Sequence, residues 1–330
     1  MRAGITYKYT VLIETVCASA EEGEQQMPET VIMAESVVKT YGPIKAVDGL
    51  TLNIRRGEIY SLLGPNGAGK TTTIEMLEGM RHPDSGRVSI LSMDPWKNAH
   101  ALRKRVGVIP QDFNFIGKIT PREAIRHYCI LFGVRDSSKE LLTMVNMTDM
   151  SDVYFERLSG GQKQKLGLCL AMANDPEVVF LDEPTTGLDP QARRNMWEVI
   201  RRLKSEGKTL LLTTHYLEEA ERLADRVGIV DHGRMVAEGT PDDIIREHGN
   251  GLFLRISGNA ALASRIKSAT GLDCSSADGI VNVRIDANEH IVNILRVVES
   301  EQVKLDVLEL RKEGLEDVFV KMVGKIEGVE

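Results

Sequence analysis

The sequence predicts an α/β protein organised around a mostly parallel sheet, with a smaller α+β unit following it. Three observations carry this prediction. The segments "IYSLL", "VGVI", "VVFL" and "LLLTT" are continuous apolar runs, the pattern of strands buried on both faces of a parallel sheet. Each run ends at something chemical: Gly64, Gln111, Asp182 with Glu183, and His215. Beyond "EHGNGL" the chain changes character and alternates strand-like with helix-like pieces. Because open α/β sheets bind ligands at the carboxyl ends of their strands, the four separated segments nominate one site.

Composition limits what that site can serve. The chain has 330 residues, enough for two or three units of about 100–200 residues each. Hydrophobic residues make up 42% and charged residues 27%, with a mean hydropathy of -0.17, as in soluble globular proteins. A net charge of -7 gives no general attraction to nucleic acid or anionic lipid, so any anion must be held locally. Cys17, Cys129, Cys169 and Cys274 show no C-x-x-C spacing, which argues against zinc and disulfides and fits a reducing compartment. No run approaches the ~20 apolar residues of a membrane helix, so another polypeptide would have to cross any membrane this one serves.

Residues 1–30 read as an extension, loose or disordered. Lys8 and Glu14 interrupt the apolar stretch that an export signal needs, and Met27 offers an alternative start. From residue 31 to residue 60 the pattern is β-like, in "VIMAESVVKTYG" and "IKAVDGLTLNI". Between Pro95 and Ala173 it turns helical, with Pro121 suited to a first helical position. "RVGIVDHGRMVAEG" reads as a hairpin turning at residues 231–233. Residues 31–248 are then one domain and residues 249–330 a small α+β domain, expected to be ferredoxin-like and without a catalytic constellation.

"GPNGAGKT", residues 64–71, satisfies G-x-x-x-x-G-K-[ST] with a strand before it and the helix "TTTIEMLEGM" after it, a context that a chance glycine turn does not explain. Gly64, Pro65, Asn66, Gly67, Ala68, Gly69, Lys70, Thr71 and Thr72 form the candidate phosphate-binding segment. Lys70 is expected to reach the β- and γ-phosphates and Thr71 to bind Mg²⁺. Asp182 can hold the Mg²⁺ shell, and Glu183 can polarise an attacking water. A merely solvated acidic turn would not explain why the apolar run stops there. His215 with Glu219 in "HYLEE" matches no paired-histidine zinc motif. Gln111 alone is no more than a polar turn. Tyr41 can stack on adenine, as could Tyr60 or Phe113. The Arg193/Arg194 and Arg201/Arg202 pairs read as a solvated helix face.

"LSGGQ", with Ser159, Gly160, Gly161 and Gln162, opens a second helix and so offers a second anion-binding N-terminus. One triphosphate is not easily wrapped by two such loops from one sheet edge. The second loop has a purpose if it faces the phosphate of a second copy.

Together these motifs resemble the nucleotide-binding subunit of ATP-binding cassette transporters over residues 31–247. "GPNGAGKT" is similar to the Walker A loop, Gln111 to the Q-loop glutamine, "LSGGQ" to the family signature and "VVFLDE" to Walker B. "GLDP", with Asp189, resembles the D-loop, His215 the switch histidine and Tyr41 the adenine-stacking aromatic. The resemblance implies catalysis by Glu183, His215, Lys70 and Gln111, and a metal site of Thr71, Gln111 and Asp182. It implies ATP and Mg²⁺, with two ATP molecules sandwiched in a head-to-tail homodimer where Ser159 and Gly161 bind the γ-phosphate in trans. It also implies an integral membrane permease reached through the surface around Gln111, a peripheral place on the cytoplasmic face of the cell membrane, and no nucleic acid. The tail, with "LEDVFVKMVG", is similar to that of drug exporters such as daunorubicin resistance ATPases, which implies an accessory or regulatory domain that regulates or stabilises the dimer. Lys165 stands where relatives usually carry arginine, which keeps the charge and loses the guanidinium fork. Soluble relatives acting on ribosomes or DNA carry paired cassettes or a long coiled coil, and this chain has one Walker A. Glu183 speaks against a regulatory module without turnover.

Overall fold

In the computed structural model, residues 29–110, 114–249 and 251–324 are described. β1 (Thr30–Tyr41) and β2 (Ile44–Arg55) form an antiparallel hairpin, and β4 (Ser85–Ile90) pairs with the other side of β1. Leu50, Leu52 and Ile54 alternate with exposed neighbours, so this sheet covers the core with one face.

The central sheet has the order β5-β6-β7-β3-β8-β9. Its strands are β3 (Ile59–Leu63), β5 (Val106–Ile109), β6 (Val178–Asp182), β7 (Thr209–Thr214), β8 (Arg226–Asp231) and β9 (Arg234–Gly239). All pairs are parallel except β8 with β9, whose hairpin turns through His232 and Gly233, both at positive φ as a tight primed turn requires. Every residue of β3, β6 and β7 is buried, as their unbroken apolar character predicts. β5 alternates instead, because it is the sheet edge. Register sets Leu63 beside Thr214 and Asp182 beside Thr213, which brings three strand ends to one place.

Helices complete the cassette. α1 (Lys70–Leu77) follows β3, and α2 (Ala99–Arg103) precedes β5. α3 (Pro121–Phe132), α4 (Ser138–Met144) and α5 (Gly160–Ala171) form a helical lobe around Ile125, Leu142, Phe155 and Leu168, continuous with Val179 and Leu181 of the sheet. Thr120 and Glu123 make a capping box at the start of α3, and Pro121 fills its first turn. α6 (Pro190–Ser205), α7 (Leu217–Leu223) and α8 (Pro241–His248) follow.

The tail runs β10 (Leu252–Ser257), α9 (Ala260–Thr270), β11 (Cys274–Ala277), β12 (Ile280–Ile285), α10 (Asn288–Ser300) and β13 (Leu308–Lys312). Its antiparallel order, β11-β12-β10-β13, makes this βαββαβ unit ferredoxin-like. β11 is a finding the pattern did not offer, since "CSSA" is a short, exposed edge without apolar alternation. The tail has its own core around Leu254, Ile256, Ile266, Val283 and Ile294. The last helix, α11 (Leu315–Val323), leaves that core. Its Leu315, Val318 and Phe319 pack with Leu63, Ala220, Ile229 and Ile244 of the cassette. Burying Phe319 there contributes about 1.5–3 kcal/mol.

Candidate nucleotide site

β3 delivers the chain into the phosphate loop at Gly64, where a side chain has no room: a Cβ would lie 2.4 Å from the Val230 carbonyl oxygen. Gly69 is held at φ 98, and a Cβ there would lie 2.2 Å from the Ala46 carbonyl oxygen. Backbones of β2 and β8 thus clamp the loop, and glycine is what allows the approach. Lys70 is 6% exposed and donates to the carbonyl oxygens of Gly64 (2.8 Å) and Pro65 (3.1 Å). Burial lowers its pKa, while the charges of Glu183 and Asp182 pull the other way. Thr71 lies exposed on the first turn of α1 and Thr72 is half-buried beside it.

The acidic strand end faces this loop. Asp182 accepts a hydrogen bond from the Thr213 hydroxyl, and burial raises its pKa. Glu183 sits in the left-handed region at φ 48, a strained conformation for a non-glycine residue. Its backbone N–H donates to Thr213 Oγ1 at 3.0 Å. Its carboxylate Oε2 accepts from Thr186 Oγ1 at 3.0 Å and lies 3.3 Å from His215 Nδ1. The hydrogen bond from His215 is the main reason its carboxyl is held below the usual range. The arrangement therefore presents an ionised, oriented carboxylate beside a buried ammonium.

Behind His215 lies a layer that sequence patterns missed. The His215 and Tyr216 rings lie 4.2 Å apart, and the Arg193 guanidinium lies 4.1 Å over Tyr216. Arg193 thus departs from the solvated face expected of it, because α6 rolls that residue toward α7. Glu219 is fully buried, and its Oε1 accepts the Trp197 indole N–H at 2.9 Å, tying α7 to α6. The available signal was a carboxylate between Leu217, Ala220 and Leu223 on the apolar face of α7.

Ser159 caps α5 and exchanges hydrogen bonds with Gln162 in a capping box. With Gly161, Lys165, Leu188 and Asp189 it lines a groove of about 570 Å³ between the starts of α5 and α6. Asp189 accepts from the N–H groups of Gln191 and Ala192, both at 2.9 Å, and so caps α6. Gly160 is exposed, and Gly161 packs toward Ala192 and Leu188. The fold therefore gathers Lys70, Asp182, Glu183 and His215 in one place, and Ser159, Gly160, Gly161, Gln162 and Asp189 around another. Asn66, Gly67 and Ala68 complete the phosphate loop, with Gly67 at φ 81. Tyr41 is 40% exposed at the end of β1, with Arg81 5.3 Å from its ring centre. Tyr60 is fully buried and donates to Glu238 at 3.0 Å, so it cannot stack on a ligand. Gln111 and Phe113 lie outside the described residues.

Comparisons with known proteins identify the family to which the chain belongs. The sequence model for ABC transporters matches residues 47–186. A daunorubicin resistance ATP-binding protein of Streptomyces coeruleorubidus is 35% identical over 307 residues, spanning 90% of this chain and 97% of that protein. The Nod factor export ATP-binding protein I of Ralstonia nicotianae is 37% identical over 313 residues, spanning 89% and 94%. Among solved structures, an ATP-binding subunit of an ABC transporter superposes with a TM-score of 0.61 at 31% identity, covering 67% of this chain and 94% of that one. A dimeric ATP-binding cassette in a post-hydrolysis state, bound to ADP and Pi, gives 0.57 at 26% identity, covering 63% and 98%. The chain belongs to the ATP-binding subunits of the ABC transporter family, which bind and hydrolyse ATP, and the proteins it is similar to include exporter subunits.

Proposed function

We propose that this chain powers solute export through a separate membrane-spanning subunit, two copies closing head to tail around two ATP molecules and reopening after hydrolysis. One observation carries the reading: Glu183, held ionised by His215, lies beside buried Lys70, while the signature groove opens elsewhere on the molecule. Lys70 and the loop N–H groups hold the β- and γ-phosphates, and Tyr41 stacks on the adenine. Thr71 and Asp182, both oxygen donors, would hold Mg²⁺ together with Gln111, and the bound ion neutralises phosphate charge. Glu183 accepts the proton of the attacking water, and His215 fixes its orientation. Ser159 and Gly161 of the second copy contact the γ-phosphate, with Asp189 alongside. Losing that phosphate removes contacts made only in the closed pair, so the copies part.

For the membrane partner the supporting feature is a groove of about 610 Å³ between the end of α1 and α3. Met80 (75% exposed) and Leu131 (69% exposed) line it, next to the segment leading to Gln111. Among the described residues no helix is long and apolar enough to cross a membrane, and the chain works at its cytoplasmic face through that partner. The tail, residues 249–330, acts as an accessory domain.

The test is Glu183→Gln in the full chain. Turnover should fall by about 10²–10⁴-fold while ATP binding persists, and an ATP-dependent dimer should accumulate in sedimentation. Unchanged turnover removes Glu183 as the base. The same variant, tagged and recovered from detergent-solubilised membranes, should bring down a polytopic protein. Recovery from cytosol with ribosomes or nucleic acid instead would end the transport reading and leave the ATP sandwich standing.

A further inference from the structure

On the reading of Glu183 as the base, we infer that Arg193 and Tyr216 are positioning residues for hydrolysis: their stack sets the plane of the His215 ring and, through that ring, the carboxylate of Glu183.

The hydrogen bond to Glu183 leaves His215 under-determined. Among the described residues the ring nitrogens of His215 have one partner, Glu183 Oε2 at 3.3 Å. A single contact does not stop the imidazole from turning, because the torsion that carries a flat ring has broad minima. His215 is partly exposed, so close packing does not lock it either. Support comes from the face of the ring instead. The Tyr216 ring centre lies 4.2 Å away at an interplanar angle of 39°. Tyr216 is held at that place by its own backbone, whose N–H donates to Thr214 Oγ1 at 3.0 Å, and Thr214 is buried at the end of β7.

Tyr216 is backed in turn by Arg193, 4.1 Å over its ring centre. A cation on a ring face is attracted by the ring's quadrupole, most strongly where water is scarce. The Nε atom of Arg193 is buried and has no hydrogen-bond partner among the described residues, and no carboxylate there pairs with the guanidinium. A cation placed for solubility would keep its water. What holds this one is the tyrosine face together with the field of Glu219 behind it. Burial raises the pKa of the Glu219 carboxyl, and the Arg193 charge works against that rise.

Two further contacts join the same helices. Trp197 donates to Glu219 at 2.9 Å, and Arg201 donates to the Arg222 carbonyl oxygen at 3.2 Å. Residues 193, 197 and 201 recur every four positions, so one face of α6 is latched along α7. The Trp197 and Arg201 contacts fix the helices, whereas the Arg193 contact is the one that reaches the ring beside His215. Neither Arg193 nor Tyr216 belongs to the phosphate loop, so their loss should show in kcat and spare nucleotide affinity.

The test is steady-state ATP hydrolysis by the full chain, with nucleotide affinity titrated separately. Tyr216→Leu and Arg193→Met should each lower kcat by about tenfold and leave KM and affinity within about twofold. Unchanged affinity also shows that the variants fold. Tyr216→Phe keeps the ring and should retain at least about half of kcat, and Arg193→Lys, which keeps the charge and loses the planar face, should fall between wild type and Arg193→Met. Because both residues act through one stack, the double variant Arg193→Met with Tyr216→Leu should cost no more than the worse single one. Turnover that persists in Glu183→Gln removes the base assignment itself. With Glu183→Gln inactive, an undiminished kcat in Tyr216→Leu overturns the positioning role alone. So do losses of affinity as large as those of kcat, a Tyr216→Phe chain as slow as Tyr216→Leu, or single losses that multiply in the double variant.

Discussion

The central sheet and the tail sheet bury their residues in opposite ways. In the central sheet β3, β6 and β7 are buried at every position, whereas in the tail β10 and β12 hide only alternate residues. The first is covered on both faces and the second on one. A strand that is apolar throughout can place polar groups only where it ends, and those groups emerge already desolvated. Lys70, Asp182, Glu183 and Glu219 are all buried, and burial moves the proton affinities of Lys70, Asp182 and Glu219. Tail charges lie on an open face and pair in water, as Arg255 does with Glu309 and Arg284 with Asp286. Desolvated groups suit chemistry, and solvated ones suit recognition.

The largest expected effect separates the two most directly. Lys70→Ala should lower nucleotide affinity and turnover by at least about 10²-fold, because a buried charge-assisted contact to phosphate is lost. Arg255→Ala should leave both unchanged. Nucleotide titration and phosphate release measure this, and a fall in Arg255→Ala would end the division of labour.

Next come the two cores. Phe319→Ala should cost about 3–5 kcal/mol and Ile256→Ala about 2–5 kcal/mol. Calorimetry with and without nucleotide should place the first loss in the nucleotide-stabilised transition, because Phe319 packs on the cassette. The second should appear in the other transition. One shared transition would mean that the sheets unfold as a unit.

Acidity gives a smaller contrast. Burial in the groove beside α1, with the charges of Asp182 and Glu75 adding to it, pushes the Glu78 carboxyl up to about 8 from its ordinary 4.5. The folded state therefore binds this proton more tightly than the unfolded chain does. Stability from this group is present below pH 4.5 and is lost as pH rises toward about 8. Glu78→Gln should flatten that decline, read from melting temperatures across the range. A profile identical to wild type would place Glu78 in water.

The smallest effect should be the same in both regions. Thr240 caps α8 by accepting from Asp243 N at 3.1 Å, and Asn259 caps α9 by accepting from Leu262 N at 3.1 Å. Each alanine variant should cost about 1 kcal/mol in denaturant melts, since a cap is a local device. Unequal costs would show that the surroundings of one cap reach beyond its first turn.

What could be read from the chain beforehand was what neighbours in sequence dictate. Apolar runs named the buried strands, Pro121 and Ser159 marked helix starts, and "GPNGAGKT" named its loop because only glycines let the backbone turn that tightly. The strand ends predicted one site, and parallel register delivered Lys70, Asp182, Glu183 and His215 to it. β11 escaped because a short polar edge carries no periodicity.

Other features depend on segments that meet only after folding. The left-handed Glu183 donates its backbone N–H to Thr213, Arg193 lies over the Tyr216 ring, and the buried Glu219 accepts from Trp197. That α11 leaves the tail core for the cassette follows from the apolar surface that Ile229 and Ile244 present to it. The sequence alone decided the elements, their order and the chemistry at their ends, because propensity and periodicity act within a few residues. Tertiary packing decided which side chains became desolvated and what each one touched, because those quantities belong to neighbours that the linear chain keeps far apart.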